Sequence, residues 1–158
     1  MVQEEQSISL PQHLLKSMID QTLFAISTND SKPVHTGSLF QLEDGELRVV
    51  SVDGFRLALR REKVSAEGSA QFIIPGKTLS EMNKLLSDEE DEETRLYLSR
   101  KHVVVQIGQY KVISRLLEGE FLDYKAAIPA GSNSTVTVDV RPLIDSIERT
   151  SLLISDRL

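Results

Sequence analysis

A chain of 158 residues with 40% hydrophobic content is long enough for one domain with a real core, and with only 5% aromatics that core must be mostly valine, isoleucine and leucine. No cysteine is present, which excludes disulfides, thiolate zinc sites and a cysteine nucleophile. The net charge of −6 argues against a simple nucleic-acid binder, but six acids stand together at 88–93, so the rest is near neutral and can present a basic face.

The start, Met1 to Gln6, is polar and acidic, and no apolar run approaches the roughly 20 residues of a membrane helix. A soluble, cytoplasmic chain is expected. Residues 7–10 alternate as a short strand, and Pro11 suits the first turn of a helix, which the spacing of Leu14, Leu15, Met18, Leu23 and Ile26 extends to about Ser27. Strand-like runs follow at 36–42, 46–52 and 55–61, separated by Asp44-Gly45 and Asp53-Gly54, dipeptides that favour hairpin turns. The order then repeats: a strand at 71–74, a helix from Pro75 to about Ser87, and strands at 94–99, 102–107 and 110–116. The acidic run follows the second helix and reads as a solvated loop pointing into water.

Ile8, Phe72 and Val136 open similar segments, and the separations 8 to 72 and 72 to 136 are each 64 residues. Leu15 and Met18 match Leu79 and Met82 and, after a one-residue insertion, Ile144 and Ile147. A fixed period means one supersecondary unit reused. Each unit is strand, helix, strand, strand, strand. One helix per unit covers only one face of a sheet of about eight strands, so the expected class is α+β. Residues 130–135 read as a linker, and 136–158 as a third strand and helix without their remaining strands, which marks the chain as a piece of a longer one.

Four motifs carry a resemblance. Ser51-Val52-Asp53-Gly54-Phe55-Arg56-Leu57-Ala58 resembles the Thr-Asp-Gly-His-Arg-Leu-Ala signature in the middle domain of bacterial sliding clamps, the processivity subunit of the replicative DNA polymerase. The segment from Arg115 to Tyr124, with Pro129, is similar to that domain's closing motif, and Phe72-Ile73-Ile74-Pro75-Gly76-Lys77 and Phe24-Ala25-Ile26-Ser27 fall at matching places. The resemblance implies a DNA-clamp fold of two strand-helix-strand-strand-strand halves, a complete middle domain over 7–129 and the start of a third over 136–158. It also implies a homodimeric ring around duplex DNA, with helices inside and sheets outside.

By the same resemblance, a groove for short hydrophobic peptides of polymerase and clamp-loader subunits would be walled by His35, Val52, Gly54, Phe55, Arg56, Leu57 and Pro129. Phe55 stands where many members have histidine, Leu122 where proline is usual, and His35 where an apolar residue is common. Candidates to face DNA are Lys16, Asn29, Lys32, Lys77 and Lys84, of which Lys32 and Lys77 sit at commonly basic positions. No metal-ligand spacing, nucleophile elbow or phosphate-binding loop is present, so neither cofactor nor catalysis is expected. The competing expectation is a stand-alone peptide-binding module that does not encircle DNA.

Overall fold

The computed structural model describes residues 6–154, and the chain divides into two compact units, Met1–Tyr124 and Lys125–Leu158. The first unit contains eight strands: β1 (Gln6–Pro11), β2 (Gly37–Glu43), β3 (Glu46–Val52), β4 (Leu57–Lys63), β5 (Ala70–Pro75), β6 (Glu93–Leu98), β7 (His102–Ile107) and β8 (Tyr110–Arg115). Two helices, α1 (Gln12–Asp20) and α2 (Gly76–Leu85), follow β1 and β5. The strands form two antiparallel four-stranded sheets, β1-β6-β7-β8 and β4-β3-β2-β5. One sheet of about eight strands would bury its apolar face less completely than two sheets closing on a shared core.

The two halves exchange their first strands. β1 pairs with β6 of the second half, and β5 pairs with β2 of the first. Beyond the named strands the exchange is symmetric as well: Ser9 of β1 bridges Ser65, while the N–H of Leu117 donates to the carbonyl of Ile73 in β5 at 2.9 Å. One core results. Leu15 and Met18 of α1, with Leu79 and Met82 of α2, are fully or almost fully buried against the inner faces of both sheets, where Phe40 stacks on Phe72 at 5.4 Å.

α1 ends at Asp20, short of the expected Ser27. Thr22 is buried and its hydroxyl donates to the carbonyl of Met18 at 2.7 Å, occupying the acceptor a continuing helix would use. Residues Leu23–Ala25 then form one 3-10 turn, so Phe24 leaves the helical stripe and is 59% exposed. Asp44 (φ 52°) and Gly45 (φ 73°) make the tight β2–β3 turn. The acidic loop is exposed but tethered: buried Gln12 receives the N–H of Ser87 at 2.9 Å, and its own N–H donates to the carbonyl of Glu92 at 2.8 Å.

The turn α3 (Tyr124–Ala127) spans the boundary, and the second unit holds α4 (Val140–Ser151). Val136 to Asp139 form no strand, because no strand of this unit is described that could pair with them. The tail of the expected third helix, 155–158, lies outside the described residues. The residues preceding the three long helices nevertheless share one geometry: Pro11 (φ −59°, ψ 140°), Pro75 (φ −56°, ψ 140°) and Asp139 (φ −70°, ψ 135°). No helix among the described residues is long and apolar enough to cross a membrane.

Candidate functional site

The β3–β4 connection is built around one aspartate. Asp53 Oδ1 accepts the N–H groups of Phe55 and Arg56, both at 3.0 Å, and Oδ2 accepts Nε of Arg56 at 2.9 Å. Gly54 supplies the positive φ of 92° that the turn needs. These bonds, led by the one from the Phe55 N–H, hold the Asp53 carboxyl below its ordinary range. The Arg56 guanidinium also donates to the carbonyl of Phe24 at 2.7 Å and lies 5.5 Å from that ring's centroid. The Arg56 head remains partly exposed while these bonds lock the loop to the turn after α1.

Beneath this loop the outer face of the β4-β3-β2-β5 sheet carries a second, smaller apolar cluster. Leu39, Val50, Val52 and Ile73 are covered by Val34, Phe121 and Tyr124, with Leu57 and Leu117 at the margin. The closing segment is thus a strap across the sheet. Gly119 within it has φ 138°, and a Cβ there would come within 2.8 Å of Val34 Cγ1. Tyr124 anchors the strap's end by donating its hydroxyl to Gln41 Oε1 at 2.6 Å.

His35 sits in a 3-10 turn, Pro33–Thr36, edge-on to Phe121 at 5.1 Å. Its Nε2 is buried without a hydrogen-bond partner, and burial first, then nearby Lys32, depresses its pKa. The imidazole is therefore neutral at pH 7 and packs as an apolar ring. The carbonyl of His35 accepts the N–H of Ser27 at 2.7 Å, tying this turn to the one bearing Phe24.

Six of the seven groove candidates thus lie in one unit: Val52 and His35 at the apolar cluster, Leu57 at its margin, and Gly54, Phe55 and Arg56 on the locked loop. Phe55 is fully exposed at its tip. Pro129 belongs to the second unit and is exposed there. Phe24, Val34, Asp53 and Phe121 complete the site without having been candidates. The Asp-Gly dipeptide announced a turn at Asp53, whereas nothing in the local pattern separates Phe24 from the helix stripe.

The polar candidates divide. Lys16 Nζ donates to the carbonyl of Leu86 at 3.3 Å and meets Asp88 at 3.5 Å, and Lys84 pairs with Glu81 at 2.8 Å. Asn29 Oδ1 accepts the N–H of Ser31 at 2.9 Å. Lys32 and Lys77 are exposed and make no ion pair among the described residues. α1 and α2 lie side by side, linked by Asn83 Nδ2 donating to Asp20 Oδ1 at 2.7 Å.

Known proteins share this fold. The curated beta sliding clamp of Bacillus subtilis (strain 168) is 34% identical over 154 residues, covering 96% of this chain and 40% of that protein. The crystal structure of the DNA polymerase sliding clamp from Bacillus subtilis superposes with a TM-score of 0.92 at 33% identity, covering 100% of this chain and 42% of that one. A putative DNA polymerase III beta subunit from Eubacterium rectale also gives 0.92, at 36% identity over 99% of this chain and 43% of its own. This chain therefore spans less than half the length of these relatives. Residues 9–123 match the family model described as the DNA polymerase III beta subunit, central domain, and the chain belongs to that family.

Proposed function

We propose that this chain acts as the middle domain of a non-catalytic sliding clamp, a topological tether that raises the effective concentration of a DNA polymerase at its primer end. In the ring, homodimeric and working in the cytoplasm, α1 and α2 face duplex DNA. Lys32 and Lys77 supply dispersed positive charge to phosphates without reading bases. Such contacts must be weak for the ring to slide. The chain alone, with net charge −6 and no ring, binds duplex DNA negligibly.

The observation that carries the protein-binding half of this reading is the locked Asp53–Arg56 loop, which holds fully exposed Phe55 at its tip beside half-buried Leu57 and neutral His35, over buried Val52. A preformed apolar surface with a fixed rim lowers the ordering cost of capturing a short hydrophobic peptide from a polymerase or clamp-loader subunit. Titrating the chain with a labelled hydrophobic clamp-binding peptide should give weak, saturable binding that Phe55→Asp, at a fully exposed position, reduces strongly. Undiminished binding by the Phe55→Asp variant would sink the assignment. The stand-alone module has no observation of its own in its favour, since α1 and α2 then have no role beyond the core.

A further inference from the structure

The outer face of the β1-β6-β7-β8 sheet departs from the rule that the solvated face of an antiparallel sheet is polar. Leu96, Val103 and Val105 point into the core, so Tyr97, Val104 and Ile113 point outward, and the register sets these three side by side across β6, β7 and β8. Cross-strand packing accounts for Tyr97 and Val104, which are half-buried. It does not account for Ile113, which is 66% exposed on the edge strand.

Charge brackets this apolar row. On one side Arg95 and Lys111 face outward on a single row of the register, either side of Gln106, with Arg95 Nε held by Ser9 Oγ at 2.8 Å. On the other side stand Arg115 and His102, paired across β7 and β8. Arg95, Lys111 and Arg115 are all exposed, and none has an ion pair among the described residues. This concentration of unpaired cations occurs in a chain whose net charge is −6.

We propose that this face, separate from the Asp53–Arg56 loop, docks an extended protein segment with apolar residues at its centre and carboxylates on both sides. Phosphates would use the cations but leave the apolar row idle, so a polypeptide fits better than nucleic acid. The apolar centre would cover Ile113, and the carboxylates would meet Arg95 and Lys111 on one flank and Arg115 on the other.

The test titrates the isotope-labelled chain with the peptide Glu-Asp-Ile-Val-Ile-Asp-Glu, with Lys-Lys-Ile-Val-Ile-Lys-Lys and a 20-base-pair duplex as comparisons. The acidic peptide should bind saturably, with amide shifts concentrated on β6, β7 and β8, and more weakly as salt rises. The double variant Lys111→Glu, Arg115→Glu should weaken it about tenfold, on the scale of two reversed exposed charges. Ile113→Glu, at an exposed position that leaves folding intact by circular dichroism, should do the same. Absence of binding would mean the cations only guard the β8 edge, and would overturn the proposal. It would equally be overturned by shifts centred on the β3–β4 loop, by tighter binding of the duplex, or by an Ile113-dependent self-association that excludes the peptide.

Discussion

Asp53 shows how much one side chain can fix. Its two oxygens satisfy the turn's N–H groups and hold Arg56, whose head then reaches Phe24. Asp53→Asn keeps an acceptor for the two N–H groups but gives up the charge that holds the guanidinium. Arg56→Ala removes the rim outright and should weaken clamp-peptide binding about tenfold, the scale of one anchoring residue, with Asp53→Asn falling between it and the parent. Equal affinities for all three would show that the rim is idle. Because the Asp53 pKa is depressed, the lock is complete above the ordinary aspartate range and fails only as pH falls through the lowered value.

His35 has the opposite chemistry and the same sign. Its folded pKa lies below that of a free imidazole, about 6.5, so both states are neutral above that pH and its contribution is whole there. As pH falls below about 6.5 the unfolded chain takes up a proton that the folded one refuses, and stability drops until the lowered pKa is passed. His35→Leu should remove this decline, read as a smaller difference between urea midpoints at pH 7.5 and 5.5. An unchanged difference would mean the ring is not held neutral. At Gly119 the positive φ and the approach to Val34 argue that Ala would cost about 1–2 kcal/mol or more.

At the scale of elements, β3 and β7 were legible to the residue, because turn signals bound each and their apolar runs are short, β7 alternating and β3 buried on both faces toward its end. α1 was not, since its apolar stripe continues in sequence past the point where the Thr22 hydroxyl stops the helix. Thr22→Val should cost about 1 kcal/mol, the net value of one buried hydrogen bond, and urea denaturation at a fixed pH would measure it. The groove motif fixed the place of Gly54 through Leu57. It could not supply Phe24, Val34 or Phe121, which reach the site through tertiary contacts of segments far apart in the chain. Likewise, the resemblance favoured Lys77 over Lys16 and Lys84, but the carboxylate and carbonyl partners of the latter two emerge only in the folded chain.

For the whole molecule, the 64-residue period revealed two halves but not that they trade first strands. Pairing of β1 with β6 and β5 with β2 makes neither half complete alone. Chains covering 6–69 and 70–124 should each remain unfolded and should regain structure when mixed, read by far-ultraviolet circular dichroism. On the proposed reading the same incompleteness operates one level higher, where a chain covering 40% of its relative's length does not close a ring by itself. The most direct measurement is therefore retention on DNA, with these residues joined to the flanking domains their relatives carry. The assembled protein should stay on nicked circular DNA after loading and leave when that circle is cut. Equal retention on circular and linear DNA, or none on either despite a closed dimer, would contradict the account.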